Sequence, residues 1–365
     1  MSAQTVPVAP LTPWRRAIGV SVGLAAVIVV VVLAFIWPNV TASAKNVPIV
    51  VAGPSATTAP LVSQLTTATD GAFAIDTVAT RADAVKLIKE RKAYGAIVVE
   101  GTAPEVLTAS AANAAISQSL GTLATQLQTQ LQAGADAQAA AAGITAPTIT
   151  VKVTDVVPLA STDPRGIGIT SAAFPLVLGG MIGGVGLTLS IRGAARRLLG
   201  VTVYAVVGGL ALSAILGSWL GLVLGNYFVL AGAFALAIAG ISATIVGAAA
   251  VIGSAGLAVG PVLFLLFANP ISSAATPKEF LTGPWGDIGQ WFPPGAGVTL
   301  LRDISYFPDA NATFPWLVLV GWTVLGYLLG ALGHFRNRNA ALVSEDRVEE
   351  EEAALGTSPA AGLPA

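Results

Sequence analysis

Six charge-poor apolar stretches constrain this chain more than any other feature. One stands alone at residues 17–37. The others fall at 166–191, three within 198–277, and one at 314–335. A hydrocarbon core about 30 Å thick needs roughly 20 apolar residues per helix. Each stretch is long enough, and 198–277 contains no Asp, Glu, Lys or Arg. With 54% hydrophobic and 10% charged residues, the composition lies outside the soluble globular range. The expected fold is a polytopic α-helical membrane protein with six transmembrane helices, arranged one plus five. A small α/β extracytoplasmic domain is expected between the first and second.

Lys and Arg near span ends mark the cytoplasmic side. Arg15 and Arg16 precede the first span, Arg192, Arg196 and Arg197 follow the second, and Arg336 and Arg338 follow the last. Both termini are therefore expected in the cytoplasm of a cell-membrane protein, with 38–165 outside. Four crossings must then separate Arg197 from Arg336, as the lengths also require. The divisions that follow are a cytoplasmic N-terminus at 1–16, the first span at 17–37, the external domain at 38–165 and a five-helix membrane domain at 166–335. An acidic, disordered cytoplasmic tail is expected at 336–365. The turn between the fourth and fifth spans falls near 247–256. Ala42, Ser43 and Ala44 resemble a signal-peptidase site, but the apolar run before them exceeds a signal h-region of about 7–15 residues. An uncleaved anchor is the expectation.

The loop at 271–313 is expected outside. Trp285, Trp291, Pro293 and Pro294 suit a segment lying at the interface or dipping into it.

Within the domain, strands are expected at 47–52, 73–78, 94–99 and 148–157, and helices at 56–69 and 104–133. Thr80 and Asp83 predict the capped start of a helix carrying Val85, Leu87 and Ile88. Such alternation implies a largely parallel sheet. Ile116, Leu120, Leu123, Leu127 and Leu131 form a seam that either packs on the domain's own sheet or pairs with a second subunit. The domain's charges, Arg91 among them, read as a solvated surface.

No catalytic, cofactor-binding or metal-binding residue is expected. Cysteine is absent, and the single histidine, His334, falls at a span end. Only Asp287, Asp303 and Asp309 remain as candidates for an enzyme, so none is expected. Ion-coupled transporters place Asp, Glu, His or Arg inside their helices, and the second to sixth spans have none apart from His334 at the end of the last. No GxxxxGK[ST] phosphate loop occurs in the chain, so energy for transport would come from another subunit. Small residues recur at four-residue spacing in Gly217, Gly221 and Gly225, in Gly179 and Gly183, and in Ala235, Ala239, Ala243 and Gly247. Such spacing suits close helix packing or a dimer seam.

The layout resembles the permease subunits of type-2 ABC exporters, in particular the phage infection protein (YhgE/Pip-like) branch. RADAV at 81–85 followed by RKAYGAIVV at 91–99 is similar to a helix-then-strand segment of their external domains. NPISSAA at 269–275, GPW at 283–285 and WFPPG at 291–295 resemble the segment before their last helix. The resemblance implies a separate cytosolic ATPase subunit and a homodimer or a heterodimer with a related permease. It makes Arg192, Arg196 and Arg197 the candidate coupling loop. The expected function is export of an apolar or amphipathic substrate across the lipid bilayer, with no nucleic-acid partner. The alternative is a non-transporting envelope protein whose external domain binds a partner or an envelope component.

Overall fold

The computed structural model describes residues 13–100 and 104–356, with the side chains of 39 and 337–356 left out. Helix α1 (Trp14–Thr41) leads into the α/β domain. Its apolar side chains remain largely exposed, as expected of a helix whose solvent is lipid.

The domain runs β1 (Val47–Ala52), α2 (Ser55–Ala68), β2 (Phe73–Val78), α3 (Arg81–Lys89), β3 (Gly95–Val98), β4 (Glu105–Thr108), α4 (Ala114–Ala142) and β5 (Lys152–Asp155). The sheet order is β2-β1-β3-β4-β5, and only the β3–β4 pair is antiparallel. Alternation along β1 divides the core in two. Val47, Ile49 and Val51 pack with Leu65, Ile116 and Leu120, beneath α2 and α4. Val50 and Ala52 face Ala84 and Ile88 of α3, in a cluster that continues into the membrane bundle. The α4 seam thus packs on its own sheet. The Thr80 hydroxyl accepts the Asp83 N–H, which caps α3 as its sequence requires.

The segment 104–113 departs from expectation. A helix beginning at Pro104 is replaced by β4, and α4 starts only after Asn113, whose side chain accepts from the Ile116 N–H. Pro104 suits a helix start, but Val106 and Thr108 are β-branched and pair with Ile97 and Gly95. Glu105 accepts from Arg81 Nε at 2.7 Å and from Thr154 Oγ1 at 2.5 Å. The Arg81 hydrogen bond holds the Glu105 carboxyl below its ordinary value of 4.5. A depressed folded pKa adds stability above the unfolded value that is lost as pH falls through the folded one. Glu105→Gln is therefore expected to flatten the acid side of the stability–pH curve below about pH 5, measured by thermal unfolding at a series of pH values. An unchanged acid limb would show that Glu105 is not a source of the acid sensitivity.

The bundle comprises α5 (Ile167–Ser190), α6 (Ala194–Leu212), a π-helical turn (Ser213–Trp219), α7 (Tyr227–Ile252), a 3-10 turn (Gly253–Ala258) and a π-helix (Gly260–Ala268). After a 3-10 turn (Lys278–Phe280) come α8 (Trp285–Gly289), α9 (Pro293–Tyr306) and α10 (Thr313–Gly356). Helix α7 is the hub. It is buried almost continuously from Leu230 to Ala250, between α5, α6, α9 and α10.

Among the described residues five helices are long and apolar enough to cross a bilayer, which supports a multi-pass membrane protein. The sixth expected span is the exception. Gly253, at φ 70°, turns the chain, and only the nine-residue π-helix Gly260–Ala268 returns toward the domain. Gly260 packs against Ile245 and Met181, while Leu266 and Phe267 line a cavity together with Trp37 of α1. The direction is that of the expected crossing, but the length is not. Pro261 and the glycines at 253, 256 and 260 deny this segment a regular α-helical ladder.

The expected disordered tail is also replaced, as far as Gly356, by a continuation of α10. Alanine and glutamate are strong helix formers and extend the helix once it is nucleated. The rest of that tail lies outside the described residues.

Candidate functional site

At the end of the bundle opposite the α/β domain, Arg192 lies in the short link between α5 and α6. Arg196 and Arg197 are not in the loop expected of them. They occupy the first turn of α6, because helix formation begins at Ala194 immediately after Gly193 (φ 88°). A cation at a helix N-terminus opposes the helix dipole at a cost of about 0.3–1 kcal/mol. Arg197 offsets this by donating Nε to the Ile191 carbonyl at 2.6 Å, which pins the turn. Arg192 and Arg196 remain exposed. The Arg336 guanidinium lies at the same end, where it donates to the Val251 carbonyl.

The small residues divide differently from their spacing. Gly217, Gly221 and Gly225 form no helix face, because the α-helix ends at Leu212 and a π turn follows. Gly221 (φ 62°) and Gly225 (φ 119°) serve a reversal that other residues adopt poorly. On α5, Gly179 accepts the Tyr204 hydroxyl on its carbonyl at 2.8 Å, and a Cβ at Gly183 would overlap the Tyr204 ring. That pair faces α6 of the same chain. Gly180 and Gly184 meet Ile241 and Ile245 of α7. In the third series, Ala243 and Gly247 lie where α7 meets Gly326 of α10, backbone to backbone.

At the domain-side end, 269–306 folds back into the bundle. Pro293 and Pro294 begin α9 and are buried, as proline at the first helical positions permits. Pro293 reaches Gly240, near the middle of α7, while Ile304 rises to meet Gly225. Trp322 of α10 donates Nε1 to the Trp291 carbonyl at 2.7 Å. Trp291 packs edge-on to Phe314, and Trp285 edge-on to Phe267. These two tryptophans keep 62% and 45% of their surface exposed, so the segment is anchored through its backbone and prolines.

The junction between domain and bundle holds charges that sequence reasoning placed on a solvated surface. Arg91 pairs with Asp303 of α9, with side-chain exposures of only 18% and 6%. The Arg91 guanidinium also lies 5.5 Å from the centre of the Phe307 ring. Burial pushes the Asp303 carboxyl upward, and Arg91 opposes that shift. The Tyr94 hydroxyl donates to Glu279 at 2.9 Å, and burial followed by the Glu279 charge raises its pKa. Arg302 lies on the next position of α9. Its surroundings desolvate it and lower its pKa to about 10, with Arg91 adding to the effect. Nothing local in the sequence marks this cluster, since Arg91 and Asp303 are 212 residues apart. Of the residual carboxylates, Asp287 binds Lys278 at 2.8 Å. Among the described residues no group of three or more His, Cys, Asp or Glu is placed to hold a metal.

A family model described as ABC-2 family transporter protein matches residues 17–191, from α1 through the α/β domain to the end of α5. The match supports an ABC-2 type permease. No curated protein and no solved structure matches the chain.

Proposed function

We propose that this chain is the permease subunit of an ABC-type exporter, moving an apolar or amphipathic substrate with energy from a separate ATPase. The observation that carries this reading is the family match over 17–191. Permeases of that family typically work with an ATPase partner. The physical setting supports it. The central helix α7 carries no Asp, Glu, Lys, Arg or His, and neither does the segment that follows it as far as Pro277. No fixed charge is therefore available there for proton or ion coupling.

The α/β domain is placed outside the cell and the Arg192–Arg197 turn inside, following the distribution of Arg at the span ends. That turn is the contact for the ATPase. Arg192 and Arg196 are exposed for it, while Arg197 holds the turn in shape. Two permease chains, identical or related, complete the transporter.

Purification in mild detergent from native membranes is expected to recover an ATPase with the chain. Arg192→Gln combined with Arg196→Gln is expected to weaken that recovery about tenfold, the loss of one or two charge-assisted contacts. Thermal stability should be unchanged, because neither side chain has an internal hydrogen bond among the described residues. If no ATPase is recovered, and the double variant changes no efflux phenotype, the chain is a non-transporting envelope protein.

A further inference from the structure

Between the α/β domain and the segment 269–306 lies a chamber of about 440 Å³ lined by eight charged side chains among apolar ones. Its charged groups fall mostly into internal pairs. Arg91 binds Asp303, Lys92 binds Glu90, and Lys278 binds Asp287. Two charges are left over. Arg302 donates Nη2 to the Ala274 carbonyl at 3.2 Å and forms no ion pair among the described residues. Glu279 accepts from the Tyr94 phenol and likewise forms no ion pair among them. Tyr94 is within the electrostatic reach of both. The chamber thus presents one unmatched cation and one unmatched anion, which do not neutralise each other at ion-pair distance.

The chamber also has a continuation. Trp291 and Phe314 line it and also line an apolar slot of about 380 Å³, which runs along α10 past Leu317, Val318, Gly321 and Leu325. From Phe314 to Leu325 a helix rises about 16 Å. That is roughly half of a 30 Å hydrocarbon core, the depth of one leaflet. With α10 crossing the bilayer from Thr313, the slot would run from the level of the chamber to about mid-membrane.

We propose that chamber and slot together bind a zwitterionic amphiphile with a phosphate and an ammonium in its headgroup. The phosphate meets Arg302, the ammonium meets Glu279, and one acyl chain lies against α10. Guanidinium forms bidentate hydrogen bonds to phosphate oxygens, which a desolvated site strengthens. Matching the headgroup's two charges to two unpaired protein charges avoids leaving either buried alone. The proposal rests on the amphipathic-substrate reading above and narrows it to a headgroup class and a site that opens to the leaflet nearer the α/β domain.

The test is lipid retention by the purified full-length chain, measured by native mass spectrometry. The probes are lysophosphatidylethanolamine, which is zwitterionic, and lysophosphatidylglycerol, which is anionic. Tighter binding of the ethanolamine lipid is expected, by about tenfold, the value of one charge-assisted contact. Glu279→Gln is expected to erase that preference. Arg302→Gln is expected to weaken both lipids. Gly321→Leu should also weaken both by filling the slot, and the fold tolerates it because a Cβ at Gly321 meets nothing within 4 Å. Equal binding of the two lipids, preference for the glycerol lipid, or retention unchanged in folded Glu279→Gln and Gly321→Leu proteins would each overturn the assignment. The assay needs no ATPase. Failure here alongside a recovered ATPase removes the ligand and leaves the permease reading standing.

Discussion

Arg91→Gly is expected to destabilise the protein by about 3–5 kcal/mol, the cost of leaving a buried carboxylate without its partner. Glycine is the informative replacement. Arg91 has φ 56° just beyond the end of α3, a conformation glycine adopts freely and arginine does not. The backbone of Arg91→Gly should therefore be relaxed, so any loss beyond the roughly 0.4–1 kcal/mol of glycine's added unfolded-state freedom comes from the side chain. That side chain binds Asp303 and covers Phe307, tying the α/β domain to α9. Asp303 then remains buried with no cation at ion-pair distance. Replacing both partners with leucine is expected to recover much of the loss, since apolar residues of similar volume often substitute for a buried ion pair. Thermal unfolding in detergent measures both. If Arg91→Gly melts with the wild type, the junction is not held by this pair.

The second large effect is expected at Gly326. A Cβ there would overlap the backbone of Ala243, and a Cβ at Gly247 would overlap the Gly326 carbonyl. Two helix backbones approach here with no side chain between them. Gly326→Val cannot be absorbed by a rotamer change, so α10 must separate from the hub helix α7. Overpacking in well-packed cores costs about 1–3 kcal/mol and sometimes more. The bundle gains no hydrophobic drive from lipid to offset the gap. A sharp fall in monodisperse protein is expected on size-exclusion chromatography, with Gly321→Val as the neutral control because its site is open. Equal behaviour of the two variants would mean that the α7–α10 contact is not required.

These two sites also show what could and could not be read from residue order. Local chemistry was legible. Thr80 and Asp83 cap α3, β1 and β2 have the expected bounds, and the α4 seam packs as its period suggests. The long apolar helices were legible because lipid imposes a length. Failures arose where local signals competed. Pro104 suggested a helix start, yet β4 forms because β3 lies ready to pair with it. Gly217, Gly221 and Gly225 share a spacing, but the helix that would align them ends first. Gly260 and Pro261 fall in an apolar run long enough to cross, but the run cannot hold an α-helix. The Arg91–Asp303 junction was invisible, since only the fold brings α3 and α9 together. Arg302 and Glu279 stand out only after the other charges are paired.

On the proposed function, this chain is a passage driven by another protein's ATP hydrolysis. Reconstitution of the purified chain with its co-purified ATPase in sealed proteoliposomes tests it most directly. A labelled lysophospholipid in the leaflet on the Arg192 side is expected to reach the α/β-domain side only with both proteins and ATP. Movement should fall sharply when Arg192 and Arg196 are both changed to glutamine. For an amphipathic probe that the chain demonstrably binds, lipid movement that is the same with and without ATP would contradict the claim.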